Sequence, residues 1–72
     1  MTKLNIAECR RKYNDARRRI QALREIQVYS KHDRAFLESV ASQPHLTERQ
    51  EAIVDVIFEK YVAAIARKEG GL

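Results

Sequence analysis

Apolar residues recur along the first third of the chain in steps of three and four: Ile6, Cys9, Tyr13, Ala16, Ile20 and Leu23. That spacing lines one side of an α-helix and predicts a helix over residues 5–28, with Thr2 or Asn5 as its N-cap. The series counts in heptads, Ile6, Tyr13 and Ile20 in one position and Cys9, Ala16 and Leu23 in the other. The pattern loosens at Ile26, Val28 and Tyr29, which places the helix end near Gln27 to Ser30. Ser30 and Asp33 then have the form of a helix start, and Phe36, Leu37, Val40 and Ala41 predict a short helix over 31–42, with Arg34, Glu38 and Ser39 facing outward. Pro44 closes it, because the residue before a proline is pushed out of helical angles, so Gln43 to His45 reads as a turn.

A third helix is predicted over 47–68. Thr47 and Gln50 have the spacing of a capping box, Glu48 and Glu51 suit the first turn, and Arg67 and Lys68 suit the last. Ile53, Val54, Ile57, Phe58, Tyr61, Ala64 and Ile65 form a wide stripe, spanning about 140° at 100° per residue. This stripe reads as the main core element and as the partner of the Ile6–Leu23 seam; Gly70 and Gly71 read as a stop. Short turns between helices imply antiparallel neighbours. The fold class is therefore all-α, one helical domain over 1–72, arranged as a small three-helix bundle or as a long helical hairpin with a short central helix.

With 72 residues, a core of this size leaves only about 3 to 5 kcal/mol of net stability. A monomer or a weak homo-oligomer fits that limit. No apolar run approaches the roughly 18 residues of a membrane span. The start lacks the apolar core of a signal peptide, and a lone cysteine, Cys9, cannot form an internal disulfide. These features predict a soluble cytoplasmic protein with no membrane partner.

Charge changes the picture most. The net formal charge is +4, but residues 1–31 carry +6 and residues 32–72 carry −2, counted from the same sequence. The surplus sits on the first predicted helix as Arg10, Arg11, Lys12, Arg17, Arg18, Arg19 and Arg24. The triplets repeat at seven residues, so on one continuous helix they would form stripes beside the seam. Such a face attracts phosphates, with a strength that falls with salt. These seven cations are the candidate nucleic-acid contacts. The other reading is a solvated face whose cations pair with acids of the other helices, such as Glu51, Asp55 and Glu59.

Other chemistry is thin. No helix-turn-helix spacing, zinc pattern, glycine-rich phosphate loop or aromatic platform of the kind that stacks single-stranded bases is read from the sequence. His32 and His45 have no further ligand at metal spacing, Cys9 lies on the apolar seam, and Glu48 and Glu51 suit a cap and the helix dipole. Tyr13 belongs to the seam, while Tyr29, near the end of the basic helix, is the one aromatic that could stack, with ordinary packing as the equal alternative. No catalytic residue, metal ligand or cofactor is expected, and an enzyme is not.

Phe36-Leu37-x-Ser39-Val40, Leu46-Thr47-x-Arg49-Gln50 and then Ile53, Ile57, Lys60 and Tyr61 together resemble a short helical module of bacteriophage (T4-like) recombination and replication helicase-associated proteins. The likeness covers residues 34 to 62 and leaves the basic first helix outside. It implies a phage accessory factor working on DNA or beside a helicase in the host cytoplasm, with no motor of its own. Taken with the cations, the reading is a non-enzymatic nucleic-acid-binding accessory protein that contacts phosphates with little sequence preference, DNA before RNA. The alternative is a protein-interaction module, or a homo-oligomer, docking an acidic partner.

Overall fold

The computed structural model describes residues 5 to 69, and the Thr2 cap and the Gly70–Gly71 stop lie outside them. Four α-helices follow one another: α1 (Ile6–Lys12), α2 (Ala16–Arg24), α3 (Lys31–Ala41) and α4 (Glu48–Glu69). No strand occurs among the described residues. The all-α bundle expected from the periodicity is therefore present, with one helix more than expected.

The extra element comes from a break in the first predicted helix. Asn5 caps α1 through its side chain, which accepts from the Glu8 N–H at 2.8 Å, but the helix stops at Lys12 and Tyr13 leaves it with φ −104° and ψ 72°. Asn14 and Asp15 are the physical reason. Their short polar side chains compete for backbone hydrogen bonds and favour caps over helix interiors. Asp15 does this directly: extended itself, it accepts from the Arg18 N–H at 2.8 Å and starts α2. The periodic seam survives the break. Cys9, Ile20 and Leu23 are buried, and Tyr13 and Ala16 pack half-buried against the same core.

The later caps form as the spacing predicts. Ser30 Oγ accepts from the Asp33 N–H at 3.3 Å and starts α3. Thr47 and Gln50 exchange both bonds of a capping box, Thr47 N–H to Gln50 Oε1 at 3.0 Å and Gln50 N–H to Thr47 Oγ1 at 3.1 Å. Between α2 and α3 the chain is non-helical from 27 to 30 and buries Val28, so the first apolar series ends as a pinned linker rather than as helix to residue 28.

α4, at 22 residues, is about 33 Å long and packs against α1, α2 and α3. Val54, Ile57, Phe58, Val62, Ile65 and Ala66 are its buried residues. The stripe is thus rotated from the expected one. Ile53 falls at its exposed edge, while Val62 and Ala66 enter the core. Phe58 is fully buried, and Tyr13 meets its ring edge-on with centroids 6.2 Å apart.

Two stability measurements check this account. Phe58→Ala removes a buried ring worth about 3 to 5 kcal/mol, as much as the whole net stability of a domain this small, so its circular dichroism at 25 °C should show an unfolded chain. Asp15→Ala removes a cap worth about 0.5 to 2 kcal/mol and should lower Tm without changing the helical content of the folded state.

Candidate nucleic-acid interface

Breaking the helix at Tyr13 scatters the arginines. Arg10, on α1, makes a two-pronged pair with Glu59 of α4: Nε to Oε2 at 2.9 Å and Nη2 to Oε1 at 2.6 Å. The hydrogen bonds from Arg10 and its positive charge hold the Glu59 carboxyl below the usual glutamate range, and Glu59 in turn raises Arg10. Two parallel bonds fix both side chains, though both are about half exposed, at 51% and 47%, and water screens the pair.

Arg19 is held more firmly. Its Nε donates to the Tyr13 carbonyl at 2.7 Å, its Nη1 donates to Asp55 of α4, and its guanidinium lies 5.0 Å from the centre of the Phe58 ring. It therefore fastens the carbonyl freed by the helix break and covers the core aromatic. Arg17 has a comparable duty on the other flank of α2. Its Nη2 donates to the Gln43 carbonyl at 3.0 Å and to the Pro44 carbonyl, oxygens that lie just past the end of α3 and have no helical partner. Arg18 stays local, with Nε 3.5 Å from the Asp15 carboxylate, and Lys12 Nζ lies 5.5 Å from the Tyr13 ring centre.

Arg10, Arg17 and Arg19 thus work as fasteners, and the stripes expected on one helix do not exist. Of the three acids named from sequence as possible partners, Asp55 and Glu59 are engaged. Glu51 instead faces a shallow hollow shared with Arg17, Arg18 and His45.

Arg11 and Arg24 remain exposed with no side-chain partner among the described residues. Arg24 occupies a defined place. It stands between two hollows that run along the α2–α3 groove, one floored by Ile20, Val40, Ala41 and Leu46 and the other by Leu23, Ile26, Val28 and Leu37. Arg34 of α3 lines the second hollow, and Glu38 is its single acid. Arg34 too is exposed and unpaired among the described residues. Spacing along the short helix marks Arg34 only as an outward residue; the antiparallel packing of α2 on α3 is what brings it to Arg24.

Among the described residues no group of three histidine, cysteine or acidic side chains could hold a metal ion, and no helix is long and apolar enough to cross a membrane. Cys9 is buried, and both histidines are exposed.

The Arg10–Glu59 pair has a pH signature. Because the Glu59 pKa is lowered by folding, its contribution is complete above the unfolded glutamate value of about 4.3 and disappears as pH falls through the lower folded value. Glu59→Gln should therefore melt below the parent protein at pH 7, and the two Tm values should converge on acidification. A gap that stays constant down to about pH 2, well below the range in which a glutamate titrates, would contradict the pairing.

No protein-family model matches the chain, and no curated protein or solved structure matches it.

Proposed function

We propose that the chain is a non-enzymatic nucleic-acid-binding accessory protein whose phosphate contacts centre on the α2–α3 groove. One observation carries this reading: Arg24 and Arg34, from two different helices, converge on one hollow, and neither has an acceptor of its own among the described residues. Two arginines lining one hollow place like charges in one neighbourhood, and an anion bound there would offset their repulsion. Arg11, Arg18 and Lys31 are exposed and add to the field around α2 and the start of α3. None of them is arranged to read base edges, so the binding has little sequence preference. DNA is the first ligand to test. The likeness of residues 34 to 62 to phage helicase-associated modules would set this binding beside a helicase; what supports that setting is the sequence pattern alone.

A second reading is favoured by the outer face of α4. Arg49, Ile53, Val56, Lys60, Ala63 and Arg67 are all exposed there, Val56 to 60% and Ile53 to 39%, and they are spaced by threes and fours. The strip joins apolar contacts to cations and holds no acid, the chemistry of a dock for an acidic protein helix. Self-pairing through the Ile6–Leu23 seam has no such support, because Cys9, Ile20 and Leu23 are buried, Tyr13 and Ala16 pack against the core, and only Ile6 of that series is exposed.

A titration of labelled DNA across a salt series tests the first reading. Each phosphate that a cationic side chain neutralises adds a slope of about −0.7 to −0.9 in log affinity against log salt, so contacts from Arg24, Arg34 and one or two neighbours predict a slope of roughly −2 to −4. Arg24→Glu combined with Arg34→Glu should lower affinity at least about tenfold while Tm stays within a few degrees, since neither residue fastens the fold. Absence of binding at low salt would overturn the proposal, and nuclease-resistant capture of an acidic protein that Arg49→Glu and Arg67→Glu abolish would establish the second reading.

A further inference from the structure

Tyr29 is the aromatic residue that the core does not use. Phe58 is buried, and Tyr13, Phe36 and Tyr61 pack half-buried against the core, whereas Tyr29 is 76% exposed. The residues on either side of it are fixed. Val28 is buried in the core, and Ser30 caps α3. Tyr29 is therefore presented to water between two fixed neighbours, which lowers the backbone entropy lost when its ring takes up a ligand.

The surroundings are cationic. Val28 lines the hollow that Arg24 and Arg34 share, Lys31 follows two residues later on the exposed start of α3, and Lys68 of α4 reaches this end of the bundle to donate to the Glu25 carbonyl. Of the nearby acids, Asp33 is 3.4 Å from Lys60 Nζ, leaving Glu25 and Glu38 against these cations. An exposed ring one residue along the chain from a hollow lined by two unpaired arginines has the two components by which single strands are bound: bases stack on aromatic faces while basic groups follow the phosphates. Duplex DNA keeps its bases stacked inside and offers such a ring nothing.

We propose that Tyr29 is a base-stacking platform and that the preferred ligand is a single strand, one base lying on Tyr29 with its flanking phosphates on Arg24, Lys31 and Arg34. This inference rests on the nucleic-acid reading above and names its substrate class. An unspecific phosphate surface would bind duplex as well as single strand.

The test is fluorescence anisotropy of the whole protein with a labelled oligo-dT and with a duplex of equal length, at low salt. Oligo-dT should bind more tightly than the duplex. Tyr29→Ala should weaken oligo-dT binding by roughly 5- to 150-fold, the range set by one stacked base, with duplex affinity and salt slope unchanged; Tyr29→Phe, which keeps the ring, should retain the parent affinity. Because Tyr29 is exposed, circular dichroism of both variants should match the parent. Equal binding of the two probes, or an alanine variant that loses both equally or neither, would overturn the stacking role while leaving a phosphate-binding surface. Binding of neither probe would remove the nucleic-acid reading itself.

Discussion

Phe58 is shielded from water completely, and most of the architecture follows from what it takes to cover it. A single ring near the middle of a 22-residue helix cannot be enclosed by one neighbour. Tyr13 meets it from the end of α1, the guanidinium of Arg19 lies over it from α2, and Ile57, Val62 and Ile65 extend the same face of α4 toward the other helices. The break at Tyr13 belongs to this arrangement. By leaving helical geometry, Tyr13 exposes a carbonyl that Arg19 takes up, so one arginine joins the break, the core ring and Asp55.

That use of arginine reorders the charge. A count of cations on one helix suggests a continuous basic face, but three of them are spent on structure, each on a different acceptor: a carboxylate on α4 for Arg10, turn carbonyls for Arg17, and a carbonyl, a carboxylate and a ring for Arg19. Of the first-helix cations, Arg11 stays exposed on α1 and Arg24 lines the hollow where α2 meets α3, which Arg34 also lines. Arginines that fasten the fold and arginines left exposed thus share the same sequence neighbourhood.

The helical class, the capped start of α4 and the pairing of the first apolar series with α4 were all legible in the sequence, because periodicity and caps are local signals. Thr47 and Gln50 stand three apart and bond as that spacing demands. The break was legible only in principle. Asn14 and Asp15 carry the signal, but a seam that runs through them in unbroken heptads outweighs two polar residues in any reading by pattern. The rotation of the α4 stripe, which turns Ile53 out and Val62 in, depends on where three other helices land. The meeting of Arg24 with Arg34 is a tertiary fact, set by antiparallel packing and invisible to spacing along one element.

The division at Tyr13 also leaves α1 as the weakest part of the molecule. Seven residues are too few to hold a helix by themselves, so α1 persists by docking on α4, with Cys9 buried in the core and Arg10 paired to Glu59. Salt, or acid strong enough to protonate Glu59 below its usual range, weakens that pair while the carbonyl bonds made by Arg17 keep their donor at any ordinary pH. Opening would then begin at one end, ahead of the rest of the core. Cys9 is the single cysteine of the chain, so its access to a thiol reagent would clock the undocking of α1 on its own, a built-in reporter of local unfolding.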